Sequence, residues 1–258
     1  MILCATNLSF KKTNFAVFLK KIQKIGFLNA EIAPNLIYKN PFLLDKKIKI
    51  KKILKQNKIK IQSLQSTFYN CKKLNLKKEK DRKYLIKYFK NIVIFAKYFK
   101  VKKISIGSCP SRKCDYDKKT LWNLNFFFFK EFAKIAKKNN ILLCIESISK
   151  KYGNNFLNNP SDALNFVKKL NNKNVKFLLD LGNFKSEKVE FKKFFHKNKK
   201  FIYHIQLSHE NLNNIDINSL KKSIIFLKKN KYKRTLSIEY LSSKGQRLNK
   251  LSNFLKTI

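Results

Sequence analysis

Eight times along the chain a short aliphatic run closes on a small or polar residue and gives way to a lysine-studded amphipathic segment. Consecutive parallel strands need a crossover of a dozen or more residues, usually a helix, so this alternation restricts the chain to parallel α/β architectures. The strand-like runs are residues 2–6, 29–33, 61–66, 103–107, 142–147, 176–181, 201–207 and 236–241. Between them, "NFAVFLKKIQKIG", "RKYLIKYFKNIVIFAKYFK", "FFKEFAKIAKKNN" and "SDALNFVKKLNN" repeat apolar positions every three to four residues, which predicts helices. "NPSDA" reads as a helix start, and "KKNN" and "KKIGF" as helix stops. Eight strand–helix units in 258 residues is the arithmetic of a closed (β/α)8 TIM barrel. A doubly wound open sheet would advertise a glycine-rich first turn, and "CATNLSFKKTN" has none. No linker or shift of composition divides the chain, so one barrel domain over residues 1–258 is expected.

Charge enters next, because a formal net charge of +44 invites a nucleic-acid reading. Only Arg82, Arg112, Arg234 and Arg247 are arginines, whereas recognition of phosphates and bases favours the planar guanidinium fork. The lysines are spread over the whole chain and travel with Asn, Ile and Phe, the set an AT-rich genome favours. They predict solvated helix faces, and no nucleic-acid partner is expected. "MILCATNLSF" lacks the basic flank and long apolar stretch of a secretory signal, and no apolar run approaches roughly 18 residues. A cytoplasmic chain without a membrane span is expected. The five cysteines form no CxxC pair, which argues against a zinc site or a disulfide framework.

In such a barrel, chemistry collects at the carboxyl ends of the strands. Four later runs end there in a ligand-type residue: "LLCIE" in Glu146, "VKFLLD" in Asp180, "YHIQ" in Gln206 and "TLSIE" in Glu239. They stand 34, 26 and 33 residues apart, each about one strand–helix unit, so all four are expected on one rim. Three carboxylates gathered together repel one another unless a cation sits among them. An all-oxygen donor set suits a divalent ion such as Mn²⁺ or Mg²⁺. Period two puts His204 and Gln206 on one strand face with His204 a layer deeper, where it reads equally as a core histidine or as a group supporting the site. His209 and Glu210 follow in the loop above. Ser108, Ser111 and Arg112 in "GSCPSRKCDYD", and Asn154 and Asn155 after "KKYG", are further candidates to touch a substrate. Glu31 could face the rim or pair with a lysine, of which the pairing is the expected reading; His196 reads as a helix-end residue, and "NFFFFKEF" as a helix face packed on the barrel.

The ordered quartet of Glu146, Asp180, Gln206 and Glu239 resembles the metal-binding residues of the xylose isomerase-like TIM barrels, the sugar phosphate isomerase/epimerase group. "EIAPNLIY", "IQSLQSTFY", "ISIGSCPSR", "CIESISKKYGNNFLNN", "LLDLGN" and "HIQLSHENL" look like that group's strand-end signatures. Much of the group carries histidine where this chain has Gln206, an amide its hydroxypyruvate isomerase branch also uses. Where the family often has histidine three residues after the aspartate, Asn183 stands here, able to bond a substrate hydroxyl but not to shuttle a proton. An arginine found beyond the seventh strand in the epimerases is not evident near Leu212.

The resemblance implies an isomerase or epimerase that binds one divalent metal and takes a small-molecule sugar. The metal would polarise a carbonyl, and Glu146 and Glu239 would move a proton at the neighbouring carbon through an enediolate. His204, His209, Asn183, Arg112 and Ser108 are then expected to bind substrate, and a homo-oligomer is compatible with this class. Two alternatives stay open. One is a metal-dependent endonuclease of the type that cuts DNA at abasic sites, whose histidine-rich three-metal cluster contrasts with three histidines here. The other is a degenerate barrel that binds without catalysing.

Overall fold

A computed structural model describes residues 1–10, 14–209 and 217–239, the side chains of residues 9 and 10 excepted. Eight parallel strands close into a barrel in chain order, a (β/α)8 TIM barrel. They are β1 (Ile2–Thr6), β2 (Asn29–Ile32), β3 (Lys60–Leu64), β4 (Lys103–Ile106), β5 (Leu142–Glu146), β6 (Val175–Asp180), β7 (Ile202–Leu207) and β8 (Thr235–Ile238). The seam is made by β1 against β8, in register from Ile2 opposite Thr235 to Ala5 opposite Ile238. Each strand lies within two residues of its sequence expectation where the structure describes it; positions 240 and 241 of the last run lie outside the described residues.

Around the barrel run α1 (Phe15–Lys24), α2 (Leu44–Gln56), α3 (Glu79–Tyr98), α4 (Lys118–Lys138), α5 (Pro160–Leu170), the short pair α6 (Leu181–Ser186) and α7 (Phe191–Asn198), and α8 (Ile217–Lys229). Local chemistry sets their ends. Asn14 accepts from the Ala16 amide at the start of α1, and Asp117 from those of Lys119 and Thr120 at the start of α4. The "NPSDA" start is borne out: Asn159 accepts from the Ser161 amide, and Pro160 fills the first turn of α5, where a missing N–H costs nothing. After α1 the chain turns at Gly26 with φ +98°, a conformation that disfavours any side chain. The phenylalanine run sits in α4 and packs inward through Phe128, Phe129 and Phe132, with Phe89 of α3 against Phe132 at 4.3 Å between ring centroids.

Two faces divide each strand. One carries the apolar core shared with the helices: Leu143 and Ile145 of β5, Phe177 and Leu179 of β6, Ile205 and Leu207 of β7, Leu236 and Ile238 of β8. The other carries buried small or polar groups, including Thr6, Glu31, Ser63, Ser105, His204, Gln206 and Ser237. Hydrogen bonds between β2 and β7, which are not neighbours in the sheet, place the second set inside the barrel. The interior is therefore largely polar, with Leu178 and the thiols of Cys4 and Cys144 among the hydrogen-bonding groups, in place of the branched aliphatic layers common to this architecture. The five cysteines are free thiols. Among the described residues no helix is long and apolar enough to cross a membrane.

Candidate active site

Glu146 is the last residue of β5, Asp180 the last of β6, and Glu239 follows β8 directly, so strand geometry alone delivers three carboxylates to the same end of the barrel. All three line one cavity of about 380 Å³, within the roughly 300–1,000 Å³ typical of small-molecule sites. Ser108, Asn183 and His209 line it too, beside the rings of Phe68, Tyr69 and Tyr152 and the Lys113 side chain.

Glu146 is seated by what its neighbour lacks. A Cβ at Gly107 would lie 2.5 Å from Glu146 Oε2 and 3.2 Å from its carboxyl carbon. From beneath, the backbone of Glu146 is held by Arg112, whose Nη1 donates to the Glu146 carbonyl at 2.9 Å. Burial, with the charges of Asp180 and Glu239 next, pushes the Glu146 carboxyl well above its ordinary range, and Arg112 only partly opposes this.

Asp180 has a second role as the cap of α6. Oδ1 accepts from the Asn183 amide at 2.7 Å and Oδ2 from the Ser208 hydroxyl at 2.5 Å. Ser208 in turn accepts from the Gly182 amide at 2.8 Å. Burial lifts Asp180 to about 6 against these hydrogen bonds. Asn183 ties the rim together: Oδ1 accepts from the Ser149 amide at 3.0 Å, and Nδ2 donates to the Ser147 carbonyl. His209 sits with Nε2 3.3 Å from Lys185 Nζ.

Gln206 lies level with Asp180, its register partner on β6, but is 1% exposed and does not line the cavity. Its Nε2 donates to Glu31 Oε2 at 3.0 Å and to Gln65 Oε1 at 2.8 Å, while its Oε1 is a buried acceptor with no partner. Glu31 is fully buried on β2 and is not the lysine partner the sequence suggested. It accepts from the Ser63 hydroxyl at 2.9 Å and lies 3.3 Å from His204 Nε2. Burial alone would raise its pKa; attraction to His204 and hydrogen bonds from His204, Gln206 and Ser237 outweigh that and bring it to about 2.

Five of the candidate substrate contacts do not line the cavity. His204 is fully buried beneath the cavity, bonded to Ser237 Oγ at 3.1 Å, because its strand position points into the barrel a layer below Gln206. Arg112 is also fully buried: it donates to the carbonyls of Phe156, Gly107, Glu146 and Leu157, which engage four of its five N–H groups. Ser111 is bonded to Asn125 Oδ1 at 2.8 Å and is likewise buried. Asn154 and Asn155 do not line the cavity; Asn155 bonds the backbone of Arg112 and Cys114. His196 is exposed on α7, its ring edge-on to Phe226, and Glu210 lies outside the described residues. The sequence assigns Glu31 to a lysine and singles out neither Gln65 nor Ser208. The roles of Glu31 and Gln65 are visible only through bonds spanning 141 to 175 residues, and that of Ser208 only through the cap it completes.

The donor set fits a hard divalent cation on chemical grounds. Three carboxylates raise one another's affinity for positive charge, and the buried amide oxygen of Gln206, the register partner of Asp180, accepts from nothing, a state that costs roughly 1–3 kcal/mol. Among the described residues no group of three or more His, Cys, Asp or Glu is placed so that it could hold a metal ion as the side chains stand, so the fit rests on the chemistry of the donors and not on their spacing.

Fold and site together define a (β/α)8 barrel with an acidic pocket at the carboxyl ends of its strands. The chain belongs to the xylose isomerase-like TIM barrel family, whose model matches residues 19–258. No curated protein matches the sequence. Among solved structures, the chain is similar to the 3-keto-D-glucoside 4-epimerase of E. coli in its apo form (TM-score 0.78, 15% identity, 100% of both chains covered). It is similar to an AP endonuclease, family 2, of Brucella melitensis (TM-score 0.78, 16% identity, 98% of both chains). It is also similar to the D-psicose 3-epimerase of Clostridium cellulolyticum H10 with D-tagatose (TM-score 0.76, 18% identity, 98% of this chain and 89% of that one). At these identities the likeness is one of fold.

Proposed function

We propose that the protein is a divalent-metal-dependent isomerase or epimerase of small sugars. The observation that carries this reading is the convergence of Glu146, Asp180 and Glu239 from three strands on one cavity of monosaccharide scale. Two of the similar structures are sugar epimerases by name, which supports it. Glu146, Asp180, Gln206 and Glu239 would hold the ion, Mn²⁺ or Mg²⁺ by donor type. When bound, it supplies Lewis acidity that withdraws charge from a carbonyl oxygen and eases loss of the neighbouring proton.

The protein's own groups do the rest. One of Glu146 and Glu239 takes the proton from the carbon beside the carbonyl, and the other returns one. Return to the opposite face of the same carbon is epimerisation; return to the adjacent carbon is isomerisation. Ser108, Asn183 and His209 face the cavity where sugar hydroxyls would lie, with the aromatic rings of Phe68, Tyr69 and Tyr152 as apolar walls. The endonuclease reading lacks its histidines here, since His209 alone of the three borders the cavity.

The test is incubation of Mn²⁺-loaded protein with a panel of ketoses and 3-keto sugars in D₂O. Deuterium at a carbon next to a carbonyl is the expected result. No incorporation into any panel member, with cleavage of a duplex carrying an abasic site instead, would overturn the reading.

A further inference from the structure

Gln206 is held by two partners from the far side of the barrel, and only one of them can dictate which way its amide points. Gln65 cannot. Its Nε2 donates to the Thr6 hydroxyl, and a hydroxyl both donates and accepts, so the Thr6–Gln65–Gln206 chain could run in either direction with every bond kept. Glu31 is different in kind: an ionised carboxylate has no proton to offer, so Oε2 accepts and nothing else. A reversed Gln206 would set Oε1 against that oxygen in a site closed to water.

We propose that Glu31 is a positioning residue: it alone sets the polarity of the buried amide chain, holding Gln206 with Nε2 towards β2 so that Oε1 is the atom left for a cation. The inference rests on the metal reading above for what Oε1 does, and on geometry alone for how it is oriented. Glu31 is itself fixed by the Ser63 hydroxyl at 2.9 Å and by His204 at 3.3 Å, so the strut that orders Gln206 is anchored on β3 and β7. Glu31 does not line the cavity.

Glu31→Gln is the deciding variant, since it keeps size and shape and abolishes the one-way constraint. The side-chain amide signals of Gln206, identified by their loss in Gln206→Leu, are followed by ¹H–¹⁵N spectroscopy in metal-free protein. Wild type is expected to show one solvent-protected NH₂ pair; Glu31→Gln should show a doubled pair, or one whose solvent exchange is about tenfold faster or more. An unchanged pair overturns the proposal. Mn²⁺ affinity by calorimetry should fall about 10- to 100-fold in the same variant, and an unaltered affinity beside a binding wild type also overturns it. If wild type binds no Mn²⁺, the metal reading fails, and the amide spectra still decide the orientation. Should Glu31→Gln not fold, Gln65→Leu serves: a single protected pair is expected, and a doubled pair would assign the polarity to Gln65 and sink the proposal.

Discussion

Gly107 on the β4 loop leaves open the space that the Glu146 carboxylate occupies, with Oε2 only 2.5 Å from where a Cβ would stand. No real Cβ tolerates that approach, nor the 2.8 Å to Ile148 Cδ1, but both obstructing atoms are the tips of flexible side chains. Gly107→Ala should therefore swing Glu146 aside at small cost to the fold. The expected outcome is a 10- to 100-fold loss of metal affinity or turnover with a thermal midpoint within a few degrees of wild type. Calorimetry beside thermal unfolding checks it, and a proportionate loss of both would contradict it.

Arg112 should behave in the opposite way. Its guanidinium satisfies four backbone carbonyls, one at the end of β5 and three in the loops after β4 and β5. Arg112→Leu is expected to destabilise the protein by about 3 kcal/mol or more, since four carbonyls lose their donor and each buried group left unsatisfied costs roughly 1–3 kcal/mol. Arg112→Lys should not rescue it, because a single ammonium lacks the fork. Denaturant unfolding measures both.

Asp180 predicts a pH dependence with a definite sign. Its pKa in the folded protein is about 6 against an ordinary 3.8, so the folded state holds more protons than the unfolded between those values. Stability from this group therefore falls as pH rises from about 4 to about 6. Asp180→Asn keeps an oxygen for the Asn183 amide and should flatten that slope in metal-free protein, read from thermal midpoints across the window. A slope unchanged in the variant would assign it elsewhere.

Glu239→Gln should abolish solvent deuterium incorporation, with a loss of about 100-fold or more and an unchanged unfolding midpoint. Exchange at the wild-type rate would remove Glu239 from the proton path.

The strands were legible because each interior run must end where the sheet meets the loop, and a polar residue after aliphatic ones marks that point. Glu146, Asp180 and Glu239 were legible for the same reason. What the sequence concealed is which polar groups face the cavity and which support it from below. Arg112 sits in a loop by sequence, yet the carbonyls after two strands draw it into the interior. Glu31 looks like one more acid among lysines, and its partners Gln206 and His204 lie more than 170 residues away. Periodicity reports the face of a strand; it carries no information about bonds across a closed barrel.

Asp180 both borders the pocket and starts a helix. A lineage that had abandoned its chemistry would still be held to this aspartate by the needs of folding, so its presence says little about a working enzyme. Glu146 is the more telling witness: the fold merely tolerates its carboxyl among neighbouring acids, and a relative that no longer catalysed would be free to discard it.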